Sequence, residues 1–422
     1  MEADMKPSIV LLLSLALLSC NQVEAPLADL AKVEKNLAFT CKHEIIPAPP
    51  AETELLFNYA RWLQKNNQLG RDGSVDVLVE RLYRIASENG HFKASINLQN
   101  GAMRGVFNLR GNEHLPMSQQ LIEAGVASGY YFVGMFLNQG SAGLQQDLAV
   151  ALRYFRKAAD EGSAVAQYSI GEKLEPRRAS PEIALKMYRC AAEQGHGKAA
   201  IALGVYLKNN GKYQQALEVF QLGIAAGNSS ASSRLSRGFK GVSDVEDLYF
   251  LDQEMDIGRA ERYEKIWDVL ASYSYAAPSV PEINDIVPLP PAKLPKWDGK
   301  LQWLEAYLAN VAPDKPGEAL ITKLAEAKGL DPLTGKPLPG SPAFSQADLY
   351  PSRSYTGELC STSGYWTKIE LCRECAVDGP IARYIDKGEV MPPLLMRHYK
   401  RRHWPWSDKT TEYVEPVEWK LI

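Results

Sequence analysis

The chain has 422 residues, of which 45% are hydrophobic and 23% are charged, and its formal net charge is -3. This composition fits a folded protein of two or three domains. A generic nucleic-acid binder needs an excess of basic residues to neutralise phosphates, so the slightly negative charge argues against that class.

The N-terminus contains a short apolar run, Ile9 to Leu18, that follows Lys6. The run has about half of the ~20 residues that a membrane-spanning helix needs, so it indicates a signal sequence over residues 1–20 and not an anchor helix. Its end, with the letters LLSC at Cys20, resembles the bacterial lipobox. The resemblance implies cleavage before Cys20, lipidation of its thiol and a lipid-anchored protein in the periplasm. Asn21 implies sorting to the outer membrane, and the alternative is an ordinary signal peptide with a coincidental cysteine.

Residues 21–51 are predicted to form a tether and an entry segment. Pro47, Pro49 and Pro50 block helix extension at the end of this segment. The next residues, 52–67, place apolar side chains at i, i+3 and i+4, which predicts the first amphipathic helix.

Two stretches of the chain, beginning at Tyr154 and at Met187, repeat each other at an offset of 33 residues. An aromatic position, an Ala-Ala pair and a glycine have the same phase in both stretches, which is typical of stacked helix hairpins. Each glycine follows a helical run, where positive φ lets the chain turn without steric cost. Extending the phase in both directions predicts these turn glycines: Gly90, Gly129, Gly162, Gly195 and Gly227.

This pattern resembles the Sel1-like repeat, a relative of the tetratricopeptide repeat, over residues 52–241. The resemblance implies a mostly α fold, a right-handed α-solenoid of helix hairpins, with a concave face that binds another protein. It implies no chemistry, because such arrays are usually scaffolds or binding surfaces.

The pattern fades after residue 241. Residues 242–277 are predicted to form a helical cap. Residues 278–300 are predicted to form a Pro-rich connector that is too apolar for a free linker, and we expect it to pack along the solenoid or to lead into the next domain. Its proline spacing excludes regular helix. Residues 301–422 are predicted as a smaller α+β domain, with helices over 301–309 and 316–328 and strands over 365–371 and 413–421.

Three C-terminal stretches, IVPLPPAKLPKWDGK, SGYWTKIE and GPIARYIDKGEVMP, resemble a domain of Sel1-repeat lipoproteins encoded beside type VI secretion toxins. Some of those lipoproteins resemble immunity proteins against phospholipase D-type lipase effectors. The resemblance implies a protein partner, a cognate lipase effector, that is neutralised by stoichiometric occlusion. A scaffold or adaptor lipoprotein of the cell envelope without a toxin partner is the alternative.

With Cys20 lipidated, five cysteines remain, an odd number in an oxidising compartment. A disulfide from Cys360 to Cys372 or Cys375 is predicted, because it would staple a small domain. The alternative is a zinc site of these three cysteines with His398 or His403, although a single CxxC is a weak signal. No cofactor is predicted.

Three H-x-K sequences, at His91, His196 and His398, resemble the start of the phospholipase D motif HxKx4D. Leucine or proline occupies the position of the aspartate in all three, and neither GxSxG nor HExxH is present. The sequence therefore predicts a protein that is not an enzyme.

The C-terminal region has one dense basic and aromatic cluster. Tryptophan and arginine dominate interface energies, so the cluster is a candidate partner-contact surface, and a solvated helix end is the alternative. Its candidate residues are Arg397, Lys400, Arg401, Arg402, Trp404 and Trp406.

Overall fold

The computed structural model describes residues 38–109, 111–174 and 181–341, and, further on, seven strands with residues 356–357, 359–360 and 388–393. The predicted signal peptide with Cys20, and the tether up to residue 37, lie outside this part of the chain. Within it, no helix is long and apolar enough to cross a bilayer.

Helix hairpins follow one another along most of the chain, and many helices begin at a side chain that caps backbone N–H groups. Asp72, Asp147, Asn228 and Asp256 each accept such a hydrogen bond. The helices are α1 (Ala51–Asn67), α2 (Gly73–Glu88), α3 (Phe92–Met103), α4 (Gly111–Glu123), α5 (Ser128–Gln139), α6 (Leu148–Asp160), α7 (Ala164–Leu174), α8 (Pro181–Glu193), α9 (Gly197–Asn209), α10 (Tyr213–Ala225), α11 (Ser229–Gly238), α12 (Ile257–Ser272), α13 (Ile283–Ile286), α14 (Gln302–Ala309) and α15 (Glu318–Glu326).

The phase of aromatic residue and glycine has a packing cause. A Cβ on Gly171 would lie 2.6 Å from the Tyr188 ring, and a Cβ on Gly204 would lie 2.4 Å from the Phe220 ring. Each glycine therefore makes room for an aromatic ring of the following helix, and both rings are buried. This contact recurs along the array and explains why the two residue types repeat together.

Four of the five predicted turn glycines have positive φ: Gly90 at +85°, Gly162 at +114°, Gly195 at +85° and Gly227 at +81°. These glycines end the helix that precedes each turn, where a β-carbon would be strained.

The prediction for Gly129 was wrong. Gly129 lies inside α5, and the glycine of that turn is Gly125, at φ +74°. The sequence has two glycines four residues apart here, and the period alone did not distinguish them. Gly129 has a different role, because a Cβ at that position would lie 2.5 Å from the Ser118 carbonyl oxygen of α4. Because Gly129 has no side chain, α4 and α5 can approach each other closely.

Residues 38–50 form an extended segment, here called the N-terminal strap, that lies across the turns between hairpins. The Gln167 side chain donates to the Lys42 carbonyl oxygen at 2.9 Å, and the Glu44 amide donates to Gln194 at 2.8 Å. The Glu44 carboxylate accepts from the Ser128 amide at 2.6 Å. The strap therefore bridges the α4–α5, α6–α7 and α8–α9 turns through its backbone and one carboxylate.

The disulfide of the described chain joins the strap to the solenoid. It links Cys41 to Cys190 in α8, across 149 residues of sequence. The predicted pairing of Cys360, which is buried, stays a prediction. Cys372 lies outside the described residues, and Cys375 is described only as backbone in a strand. In the chain-entropy view, closing the loop of 149 residues between Cys41 and Cys190 stabilises the fold by about 5 kcal/mol.

The connector packs against the cap, as its apolar residues predict. Val280, Ile283 and Val287 are buried in the same core as α10 and α12. Contrary to the prediction that no helix forms here, Ile283–Ile286 makes one helical turn. Prolines remove backbone donors, so the connector carbonyls need donors from elsewhere.

Two arginines of α12 supply those donors. Arg259 donates to the Pro288 carbonyl at 3.1 Å, and Arg262 donates to the Ile286 carbonyl at 2.6 Å. Arg262 also donates to the Pro295 carbonyl at 2.5 Å. The cap thus fixes the connector by side chain to backbone bonds.

The predicted domain boundary at residue 301 does not agree with the packing. Ile321 and Leu324 of α15 are buried in one core with Leu82 of α2. Arg81 in α2 forms an ion pair with Glu318 at 2.7 Å and donates to the Pro332 carbonyl at 2.6 Å. Residues 301–341 therefore belong to the helical body, and the strands begin after them.

The strands are β1 (Arg353–Tyr355), β2 (Gly364–Lys368), β3 (Cys375–Val377), β4 (Ala382–Ile385), β5 (Leu394–Lys400), β6 (Lys409–Glu415) and β7 (Glu418–Leu421). They form two antiparallel sheets, in the orders β1-β7-β2-β4 and β3-β5-β6. Trp366 and Trp419 are buried, and the Trp419 indole donates to the Pro392 carbonyl at 2.9 Å. The predicted strand over 413–421 is two strands, β6 and β7.

Substituting two turn glycines separates backbone strain from strap contact. A Cβ on Gly162 would lie 2.6 Å from the His43 carbonyl carbon, whereas Gly195 has no neighbour within 4 Å. Gly195→Ala should cost about 1 kcal/mol through positive φ alone, and Gly162→Ala at least about 2 kcal/mol, because the strap must also shift. Thermal melting of the oxidised variants measures both, and equal losses would contradict the strap contact at this turn.

Candidate protein-binding groove

The histidines of the first two H-x-K sequences are helix caps. His91 Nδ1 accepts from the Ala94 amide at 3.1 Å, and His196 Nδ1 accepts from the Ala199 amide at 3.2 Å. Burial lowers the pKa of both rings and keeps them neutral. Asn228 occupies the same capping position in the next repeat, so these histidines are structural. The third, His398, lies in β5.

One group of residues near the strap has the composition of a metal site. Cys41, His43 and Cys190 bring their ligand atoms within 4.8 Å of one another. The two sulfurs are joined as a disulfide, however, and a disulfide does not supply thiolate ligands. The group therefore does not fit a zinc ion. The buried Cys360 donates to the Ile385 carbonyl at 3.8 Å, which is a packing contact.

A groove of about 1090 Å³ lies between the first hairpin and the segment that follows the cap. One wall comes from α1 and the loop after α3, and the other from residues 275–277, α14 and the loop after it. The residues lining it are Asn58, Arg61, Trp62, Gln64, Lys65, Asn67, Gln68, Arg71, Asp76, Gly101, Arg104, Gly105, Val106, Tyr275, Ala276, Ala277, Trp303, Ala306, Tyr307, Val311 and Pro313.

The two walls are held together by polar contacts at Asn310. Lys65 Nζ donates to the Tyr307 carbonyl at 3.0 Å and to Asn310 Oδ1 at 3.1 Å. The Trp62 indole donates to the Asn310 carbonyl at 3.4 Å, and Asn310 Nδ2 donates to Asn66 at 2.8 Å. Asn310 also ends α14 in the left-handed conformation that asparagine tolerates. This junction sets the position of α14 against α1.

Aromatic rings continue from this junction along the groove. The Trp303 and Tyr307 rings stack with centroids 4.9 Å apart, and Lys65 Nζ lies 4.3 Å from the Tyr307 centroid. The hydrogen bond between the Tyr275 and Tyr307 hydroxyls, together with burial, raises the pKa of Tyr307 to about 12. Tyr307 is therefore neutral at physiological pH and does not offset the charge of Lys65.

The charge of the groove is positive. It contains Arg61, Lys65, Arg71 and Arg104 against a single carboxylate, Asp76, whereas the whole chain has a net charge of -3. Among the described residues, no carboxylate forms an ion pair with any of these four cations. Asp76 accepts from Asn67 at 2.8 Å. The groove thus combines cations with rings, the residue types that dominate protein interfaces.

The predicted C-terminal contact cluster has only a partial structural description. Arg397 and Lys400 lie in β5, so this part is strand and not the end of a helix, and Arg397 is opposite Glu412 of β6. Arg401, Arg402, Trp404 and Trp406 lie outside the described residues.

The sequence does not reveal the groove, because its walls come from distant parts of the chain, with Lys65 and Tyr307 separated by 242 residues. One signal was present. Trp303 and Tyr307 lie four residues apart on a short predicted helix, which places two large rings on one face. The pattern could have indicated a contact surface, but not what it faces.

Two family models match the chain. The Sel1 repeat matches residues 127–163 and 164–196, which contain α5 with α6 and α7 with α8. The chain carries Sel1 repeats. A domain of unknown function, DUF6396, matches residues 230–338. That range runs from α11 through the cap and connector to α15, which agrees with the packing of α14 and α15 on the helical body.

Solved structures similar to this Sel1-repeat chain include three bacterial proteins. The immunity protein PA5088 from Pseudomonas aeruginosa is 24% identical, with a TM-score of 0.47, over 60% of this chain and 94% of its own. PA5086 from the same organism is 24% identical, with a TM-score of 0.46, over 60% and 95%. A Sel1 repeat protein from Oxalobacter formigenes is 21% identical, with a TM-score of 0.34, over 48% and 86%. A comparison with curated proteins gives no significant match.

The capping histidine predicts a pH dependence of stability. Because burial lowers the folded pKa of His196, its stabilisation is present above the unfolded value of about 6.5 and is lost as pH falls through the folded pKa. His196→Asn keeps the cap, as Asn228 does, and removes the titration. The melting temperature of the variant should therefore fall less between pH 7 and pH 5 than that of wild type. An equal fall would exclude His196 as a contributor.

Proposed function

We propose that this protein is a periplasmic, lipid-anchored inhibitor that binds a secreted toxin and neutralises it by occlusion. The toxin class implied by the C-terminal sequence resemblance is a type VI phospholipase-type effector. The observation that carries the proposal is the cationic, aromatic groove in a chain that carries Sel1 repeats. Such a surface suits a protein partner.

Occlusion, and not chemistry, is supported by the histidines. Four histidines have described side chains, and each has a structural contact. His91 and His196 cap helices, His43 lies 3.8 Å from Glu193, and the buried ring of His114 lies 4.9 Å from that of Phe136. Among the described residues, no hydroxyl or thiol nucleophile is hydrogen-bonded to any of these four rings. Catalysis needs a convergent set of nucleophile, base and oxyanion donors, which these histidines do not form.

A stable inhibitory complex would need more than the groove. Specific protein interfaces bury at least about 1,000 Å² in total, so the partner would also contact the neighbouring helices. The junction at Asn310 and the packing of α15 on α2 give those helices a fixed arrangement. Because such a surface is already ordered, binding loses little conformational entropy, which favours tight association.

The lipid anchor is tested by the protein's location. Cys20→Ala should release the protein from the membrane fraction into the soluble periplasm, because the apolar run before it is too short to span a bilayer. Fractionation with immunodetection of wild type and variant measures this. Unchanged membrane retention of the variant would contradict lipidation at Cys20.

Inhibition by occlusion predicts a fixed stoichiometry. The soluble Cys20→Ala protein, titrated against a lipase toxin encoded beside its gene, should reduce hydrolysis of a phospholipid substrate linearly to an end point at one fixed molar ratio. Protein unfolded by heat and reductant is the control and should not inhibit. Protection far below that ratio would indicate an enzyme, and absence of inhibition at any ratio would favour an envelope scaffold or adaptor.

A further inference from the structure

We infer that the groove between α1 and α14 receives an acidic segment of the protein partner, held by Arg61, Lys65 and Arg104. This inference rests on the function proposed above and names the surface that is used and the charge that its partner presents there.

The cations of the groove have hydrogen bonds but no ion pairs with described carboxylates. Arg61 donates to Gln64 at 2.7 Å, and Arg104 donates to the Asn100 carbonyl at 3.1 Å. These contacts use only part of the five N–H donors of a guanidinium. Both side chains are exposed, so their remaining donors can bind a carboxylate without breaking an existing ion pair.

Lys65 adds a charge that is already held in position. Its ammonium contacts two oxygens of the 307–310 segment and the Tyr307 ring, and these partners are all uncharged. A carboxylate of the partner near Lys65 would therefore form an ion pair with a charge that no described carboxylate neutralises. Arg81, in the neighbouring helix, is by contrast paired with Glu318 at 2.7 Å.

Apolar groups beside the cations can contact the rest of such a segment. Val106 is 44% exposed, Tyr275 41% and Val311 80%, and all three line the groove. Side chains on both walls can thus pack against a chain that lies between them. Tyrosine and arginine together form the usual centres of protein interfaces.

The shape of the site favours a protein segment over a lipid surface or a small molecule. Its volume, about 1090 Å³, is at the upper limit of small-molecule pockets, which span roughly 300–1,000 Å³. Its cations lie along a groove with two walls, which a flat layer of head groups cannot enter. An acidic segment of a protein is complementary in charge to the four cations and the single carboxylate that line the groove.

The first experiment uses a fluorescent twelve-residue polyglutamate peptide and the soluble Cys20→Ala protein. Fluorescence anisotropy should detect binding that weakens as salt increases, because the contact is electrostatic. Arg61→Glu/Arg104→Glu should weaken binding by at least about tenfold. Lys93→Glu/Lys198→Glu is the matched control, since it reverses two exposed cations outside the groove with the same change in net charge, and it should stay within about twofold of the parent protein.

Three results would overturn the inference: no binding of polyglutamate, equal binding by a polylysine peptide, or equal losses in the groove and control variants. Vesicles of phosphatidylglycerol form a further arm, and groove-dependent vesicle binding without peptide binding would assign the site to lipid instead. Arg71→Glu/Arg104→Glu provides a second groove variant with the same change in net charge, which should also weaken binding even if Arg61→Glu disturbs folding. Circular dichroism melting identifies any unfolded variant.

Titration against the toxin distinguishes failure of this inference from failure of the proposed function. If the folded groove variant inhibits with the parent stoichiometry and affinity, the inhibitor function stands and the groove assignment is wrong. If the parent protein binds the peptide in a groove-dependent way but does not inhibit the toxin, the acidic-segment site stands and the toxin function is wrong. Loss of both peptide binding and inhibition in the groove variant alone supports the two together.

Discussion

Extended segments lying across the turns between hairpins are the constraint on which this structure depends. A solenoid of hairpins has contacts only between neighbours, so it can bend or open along its length. Here the strap bridges three successive turns and is joined covalently to α8 by the disulfide between Cys41 and Cys190. At the next turn, the Val280 amide donates to the Ala225 carbonyl at 3.1 Å. These contacts link the turns of successive hairpins to one another.

The same constraint creates the groove. Hydrogen bonds from Arg259 and Arg262 hold the connector against the cap. The chain then returns to the first hairpin, where α14 contacts α1 and α15 packs on α2. The array is therefore joined between its last and first helices by sequence that carries no repeat. Cations of α1 and of the loop after α3 face a segment of aromatic rings across the groove. The groove is therefore positively charged although the whole chain has a net negative charge.

This arrangement gives a physical basis for a binding protein. His91, His114 and His196 serve as helix caps or as a packed ring, and the groove contains four cations that form no ion pair with a described carboxylate. A preformed surface binds with little loss of conformational entropy. The polar junction at Asn310 is then as important as the groove residues themselves, because it positions α14 against Lys65 and Trp62.

The sequence by itself determined the hairpins, most turn glycines and the packing of the connector, because these depend on local periodicity and on residues that fit one backbone conformation. It could not distinguish Gly125 from Gly129, since both satisfy a period of that size. Only the tertiary structure decided the disulfide partner of Cys41, the attachment of residues 301–341 to the first hairpin and the groove between them. Each of these joins residues more than a hundred positions apart, and no local pattern specifies which distant surfaces meet.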